Sequence, residues 1–209
     1  MVNLDTHRII DIIDSRFHKK KKRSTFPKII FIIIIGIVFF KMKIDKEVGK
    51  ELDSLNNVKI YFNGFPNKSF GRNLAEDGYN LGMKYQCVEF IKRYYFEYYN
   101  HKMPDTYGNA KDFYDNKLKD GEMNVKRGLL QFSNPSFKKP SVGDIIIFKP
   151  SLLNPYGHVA IISKVDESAI EIIQQNVWKK TRESFNLINI NNLWYIESKR
   201  IIGRLSLPE

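Results

Sequence analysis

The chain has 209 residues, of which 43% are apolar and 13% aromatic, and its formal net charge is +11. That length bounds it to one domain of ordinary size with attachments, and the apolar residues extend far enough along the chain to build a core. The single cysteine, Cys87, excludes an internal disulfide and any thiolate zinc cluster, and no GxxxxGK[ST], CxxC or HExxH stretch supports nucleotide or metal chemistry. No cofactor is expected.

Charge divides unevenly. Residues 1–43 carry ten Lys/Arg against three acids, whereas the remainder carries 24 against 20, so the globular part is only mildly basic. Residues 1–25 contain Lys19–Arg23 (KKKKR) and read as a basic cytoplasmic tail. A nucleic-acid role for this run is set aside because the apolar stretch FPKIIFIIIIGIVFFKM comes directly after it. Basic residues before an apolar segment hold that end in the cytoplasm and export the chain beyond the segment. Ile29–Phe40 is uninterrupted, and Lys28 and Lys41 sit where they could snorkel to the interfaces. The expectation is therefore a transmembrane signal anchor over residues 26–42, uncleaved because no small-x-small site follows Phe40; a cleaved signal is the rival. Residues 43–56 read as a charged linker and 57–209 as the domain. This topology predicts a single-pass membrane protein whose domain lies outside the cytoplasm, in a bacterial cell envelope.

Within the domain, Val58–Phe62 reads as a short strand and Asn73–Tyr85 as a loop approaching a helix. In KYQCVEFIKRYYFEYY (Lys84–Tyr99), Val88, Phe90, Ile91, Tyr94, Tyr95 and Tyr98 recur at helical spacing. A second helix is expected over Asn109–Leu118, and a specificity-bearing loop over Gly121–Lys139. After it the period shortens. Asp144–Phe148, His158–Val165, Ala169–Gln174, Leu193–Glu197 and Ile201–Leu205 read as five strands. Helices first and strands after predict an α+β class, with the Cys-bearing helix packed on an antiparallel sheet.

Cys87 stands where the loop becomes the helix, facing unpaired N–H groups and the positive end of the helix dipole, both of which favour the thiolate. The bland alternative is a small buried hydrophobe. A cysteine nucleophile needs a histidine, and the chain has four. His7 and His18 precede the apolar segment, and His101 lies about 21 Å down the Cys87 helix at ~1.5 Å per residue. His158, opening the apolar run Val159–Ile162, is the remaining candidate base. Gln86, just before the cysteine, and the Cys87 backbone N–H are candidate oxyanion donors. Glu89 in the first turn reads as a dipole-stabilising residue, and Asp144 as ordering the turn before its strand.

YQCVEFIKRYY, PSVGDIIIF (Pro140–Phe148), YGHVAII (Tyr156–Ile162) and IEIIQQN (Ile170–Asn176) come in the order and spacing of a CHAP domain. The chain, over roughly Asn57 to Leu207, resembles this family of papain-like, NlpC/P60-type cysteine amidohydrolases and peptidases. It is most similar to the branch holding the amidase domain of glutathionylspermidine synthetase/amidase. The resemblance implies a papain-like fold, Cys87 as nucleophile and His158 as its base. CHAP relatives commonly read E-Q-N in the last motif, the Glu orienting the histidine. Here that position is Gln174, which can orient an imidazole by accepting a hydrogen bond but cannot stabilise imidazolium by charge. Asn176 is the alternative histidine partner, and Lys92, where the amidase branch carries basic residues, a candidate substrate-binding group.

Three functions are expected. The first is a membrane-anchored cysteine amidase or peptidase acting on peptidoglycan through a thioester. The second is a glutathionylspermidine-type amidase acting on a small amide. The third is a catalytically weak wall-binding or interaction module, permitted by Gln174. No nucleic-acid partner is expected.

Overall fold

The computed structural model describes residues 26–66 and 68–208, so the tail expected over residues 1–25 lies outside the described part. Two α-helices occur among the described residues, α1 (Phe26–Asp45) and α2 (Cys87–Tyr99). The first strands are β1 (Glu51–Leu55), β2 (Val58–Tyr61), β3 (Arg72–Leu74), β4 (Asn80–Met83), β5 (Glu122–Asn124) and β6 (Leu129–Ser133). After them come β7 (Ile145–Phe148), β8 (His158–Val165), β9 (Ala169–Ile173), β10 (Arg182–Ile190), β11 (Leu193–Ile196) and β12 (Ile201–Ser206). Eight of these form one antiparallel sheet in the order β11-β10-β9-β8-β7-β12-β6-β5, and β1–β2 and β3–β4 are separate hairpins.

The middle of this sheet is covered on both faces, which explains why β7 and β8 read as continuous apolar runs rather than alternating ones. Ile145, Ile147, Val159, Ile161 and Ile173 face α2, while Ile146, Phe148, Ala160, Ile162 and Ile172 form a second cluster. From α2, Phe90, Ile91, Tyr94 and Tyr95 enter the first cluster and are fully buried. Each contributes about 1.5–3 kcal/mol by removal from water. Tyr98, one step further round, stays half exposed.

The expected α+β class is corrected. The domain is sheet-rich, and α2 is the only described α-helix lying wholly within the compact unit Ile44–Glu209. The helix expected over Asn109–Leu118 is reduced to one 3-10 turn, Ala110–Phe113. The side chain of Gln131 accepts the Asp115 N–H at 2.9 Å and donates to the Asp115 carbonyl at 2.7 Å, which draws the chain away from a helical path. The expected loop Gly121–Lys139 contains β5 and β6, and β10 stands where no strand was expected. Glu51–Leu55, read as linker, pairs with β2.

The expected transmembrane helix is also corrected. α1 does form, over 20 residues, but no helix among the described residues is long and apolar enough to cross a membrane. Lys28, Lys41 and Lys43 interrupt it, and the twelve apolar residues between them span about 18 Å against a hydrocarbon core of ~30 Å. The single-pass anchor, and the envelope location that rested on it, are withdrawn.

Candidate active site

Hairpin β3–β4 delivers the chain to Cys87. Gly82 on β4 has φ +123, and a Cβ there would lie 3.2 Å from Glu89 Cα, so only glycine lets the hairpin pack against α2. The turn then passes through Tyr85, a left-handed residue with φ 67, whose ring is held by Tyr61 and Phe70 at centroid distances of 5.6 and 5.7 Å. Gln86 caps α2 in an extended conformation without a side-chain capping bond, and Cys87 is the first helical residue.

The thiol of Cys87 is buried at this helix start, within reach of the backbone N–H groups of Val159, Val88 and Cys87 itself. These donors favour the thiolate, as the helix position predicted, but burial outweighs them and holds the thiol above its usual value of 9.0. Contact with the Val159 amide sets the sulfur beside the His158–Val159 peptide at the start of β8.

His158 is half-buried, with its ring 5.6 Å from that of Phe148, its cross-strand partner. Its Nε2 lies 3.0 Å from Gln174 Oε1. Because that oxygen only accepts, Nε2 carries the proton and Nδ1 is left as the acceptor. Burial pushes the imidazole pKa down to about 4; the Gln174 hydrogen bond opposes this and the nearby Arg200 charge reinforces it. At neutral pH the pair is therefore a neutral thiol and a neutral imidazole.

Gln174 continues β9 by one residue, opposite Ala160 by extension of the Ile161–Ile173 register, and reaches His158 diagonally. Asn176 makes no hydrogen bond to the histidine among the described residues. With φ 68 it has left the strand alternation, and its side chain bonds Asn63, Pro66 and Gln86. Gln86 lines the same cleft, but its amide hydrogens are engaged by the carbonyls of Lys68 at 2.8 Å and Pro66 at 3.1 Å. Lys92 lies outside the cleft lining. It is fully buried, donating to the carbonyls of Asn80 and Thr106 with Nζ 4.9 Å from the Tyr79 ring centre, and burial lowers its pKa to about 8. Five residues from Cys87 is about 140° round a helix, so Lys92 leaves α2 on a different side from the thiol.

Gln175 was not singled out by the sequence and is the main omission. It is fully buried, donates to the Gln86 carbonyl at 3.0 Å and to Glu89 Oε2 at 2.8 Å, and accepts the Tyr61 N–H at 2.8 Å. Consecutive amides ending an apolar strand point to opposite faces, so Gln174 meets the histidine while Gln175 ties down the cysteine turn. Glu89 also pairs with Arg93 Nε at 2.6 Å and accepts from Asn73 Nδ2 at 2.8 Å. Asp144, expected to order a turn, accepts from the Ser141 N–H at 3.0 Å and from Arg204 Nε at 2.9 Å.

Cys87, His158, Gln174, Gln86 and Asn176 all line one cleft of about 1320 Å³. A thiol at a helix start and an amide-held imidazole on the adjacent sheet thus share a cleft, and residues 78–176 match the family model of the CHAP domain. Over that segment, just under half of its length, the chain is similar to the CHAP-type hydrolases.

Among relatives, it is 28% identical over 120 residues to trypanothione synthetase of Crithidia fasciculata, covering 57% of this chain and 18% of that protein. It is 33% identical over 108 residues to bifunctional glutathionylspermidine synthetase/amidase of Escherichia coli (strain K12), covering 51% of this chain and 17% of that protein. The chain thus spans less than a fifth of the length of these curated relatives. A solved structure, that of Ly7917 with the hydrolyzing product of MDP, aligns with 39% of this chain and 32% of its own at 23% identity and a TM-score of 0.27.

Proposed function

We propose that this chain is a cysteine amidase or peptidase that cleaves amide bonds through Cys87, His158 and Gln174, with peptidoglycan peptide or amide bonds as its substrate class. The observation that carries this reading is the Gln174-held imidazole lining the same cleft as the thiol at the start of α2. His158 Nδ1 takes the thiol proton as sulfur attacks the amide carbonyl, and the tetrahedral oxyanion forms beside the Cys87 N–H. Collapse breaks the C–N bond, with the imidazolium returning its proton to the leaving amine and leaving a thioester. Water, deprotonated by His158, then attacks the thioester, releasing the acid and restoring the thiol. Gln174 holds Nε2–H throughout. Gln86 would join the oxyanion site only by giving up the Lys68 or Pro66 carbonyl.

The polymer substrate is supported by the cleft itself. At about 1320 Å³ it exceeds the ~300–1,000 Å³ usual for small-molecule pockets. A second reading, a glutathionylspermidine-type amidase, is favoured by the name of the E. coli relative. Incubation with purified peptidoglycan and, separately, with glutathionylspermidine, followed by mass analysis of products, tests both. Release of new amino and carboxyl termini from peptidoglycan by wild type but not by Cys87→Ala is the expected result. Cleavage of glutathionylspermidine alone supports the second reading, and no cleavage of either counts against hydrolysis.

A further inference from the structure

The cleft is far more basic than the domain around it. Its lining includes Lys68, Arg72, Lys149 and Arg200 against one carboxylate, Glu183, whereas residues 44–209 as a whole carry 24 Lys/Arg against 20 Asp/Glu. Two of the four cations are committed. Lys68 pairs with Asp45, and Arg200 lies 3.3 Å from Glu183. Arg72 and Lys149 have no carboxylate partner among the described residues, and both are exposed.

Their placement relative to the candidate catalytic pair is specific. Arg72 on β3 pairs across the hairpin with Met83, four residues before Cys87, so its Cα lies within about 20 Å of that of Cys87 along the chain path. Its guanidinium is held in place over the Tyr107 ring, 5.1 Å from the centroid, with Nη1 3.5 Å from Asn80 Oδ1. Asn80 is itself buried and fixed by the Gly82 N–H at 3.1 Å and the Thr106 carbonyl at 3.0 Å. Lys149 follows Phe148, the cross-strand partner of His158, and its backbone N–H is anchored on the Arg200 carbonyl at 2.9 Å. One free cation thus flanks the site from the cysteine side and the other from the histidine side. A fixed guanidinium suits bidentate binding of a carboxylate, and a mobile ammonium adds a point charge.

We propose that Arg72 and Lys149 bind substrate carboxylates on either side of the scissile bond, so that the cleft selects acidic peptides over cationic amides such as polyamine conjugates. This rests on the hydrolase reading above for the meaning of the scissile bond, but the binding preference is measurable apart from turnover.

The test uses the full chain carrying Cys87→Ala, with a labelled Ala–Glu–Lys–Ala peptide, its Gln counterpart and a labelled spermidine conjugate followed by fluorescence anisotropy. The acidic peptide is expected to bind about tenfold more tightly than its carboxamide form, as one charge-assisted contact of ~1.4 kcal/mol would give. Arg72→Gln and Lys149→Gln should each shrink that ratio, and Arg72→Lys should restore part of it. Equal affinity for acid and amide, tighter binding of the spermidine conjugate, or an unchanged ratio in the double variant overturns the proposal. Turnover of peptidoglycan by wild type together with equal affinities would sink this inference and leave the hydrolase reading standing. Carboxylate-dependent binding without turnover of any substrate would do the reverse.

Discussion

Gln174 Oε1 accepts a hydrogen bond from His158 Nε2 at 3.0 Å, and this contact assigns the tautomer of the candidate base, while burial sets its charge state. An amide oxygen orients the ring without adding a negative charge, so its hydrogen bond offsets only part of the burial that brings the imidazole down to about 4. The site therefore rests as a neutral thiol and a neutral imidazole.

Gln174→Glu should change the pH dependence in a defined direction. The base must be neutral, so wild-type kcat/KM is expected to fall only as pH drops through about 4. A carboxylate at the same position favours imidazolium and raises the His158 pKa, moving the acid limb up by roughly 1–3 pH units. Gln174→Ala should leave the limb near its wild-type position and lower kcat by ~10²-fold through loss of the tautomer. Initial rates from pH 3.5 to 8 check this, and an acid limb unmoved by Gln174→Glu would show that residue 174 does not address the base.

Cys87 should be sluggish toward a neutral alkylating reagent in the free protein. Burial raises its pKa above 9.0 despite three backbone N–H groups in reach, so thiolate accumulates only in alkaline solution. Iodoacetamide labelling followed by mass spectrometry is expected to show a midpoint above 9, lowered in Gln174→Glu as the adjoining imidazolium becomes available. Low reactivity at neutral pH thus does not separate an enzyme from a binding module here. Product formation does. A midpoint well below 8.5 in the wild type would mean that an ion pair forms in the resting site.

The parts of this arrangement that were legible in the sequence are those set by periodicity and by scarcity. The face of α2 carrying Phe90, Ile91, Tyr94 and Tyr95 followed from helical spacing, and His158 followed from elimination among four histidines. What the residues could not give was direction at element ends. Gln174 and Asn176 were both candidate histidine partners, but β9 ends at Ile173 and Asn176 turns left-handed, and the hydrogen bond of the ring goes to Gln174. Lys92 was a candidate through the family resemblance, but hairpin β3–β4 buries that side of α2. Strand β10 went unread because only Leu187 of its nine residues is fully buried, so little apolar alternation marks it. For α1, the flanking lysines that suggested interfacial anchors are the residues that leave too short an apolar span.

Gln175→Ala is expected to affect turnover more than binding. Its side chain joins the Gln86 carbonyl, Glu89 and the Tyr61 N–H, so its loss frees the turn that aims Cys87 and leaves a buried carboxylate one partner short. The stability cost should be about 1–3 kcal/mol, or a Tm lower by roughly 2–10 °C for a chain of this size. The kcat should fall while KM changes little, because the residue does not line the cleft. Calorimetry with a kcat and KM split measures this, and an unchanged kcat would limit Gln175 to a structural role.

Lys92 offers a test of stability alone. Its folded pKa of about 8 lies below its usual value of 10.5. Between these values the unfolded chain holds the proton and the folded one does not, so stability should rise with pH across that window. Two acceptors, the carbonyls of Asn80 and Thr106, match the two hydrogens of a neutral amine, so deprotonation removes the buried charge without orphaning either. Lys92→Met lacks the titrating group and should lack this component of the slope, although it strands both carbonyls and lowers stability at every pH. Urea unfolding of the two proteins at intervals from pH 7 to 10 isolates the residue, because tyrosine and thiol titrations cancel in the difference. The difference in stability, wild type minus variant, is expected to grow with pH above about 8. A flat or falling difference would mean that the ammonium form is retained, held by the same carbonyls and the Tyr79 ring.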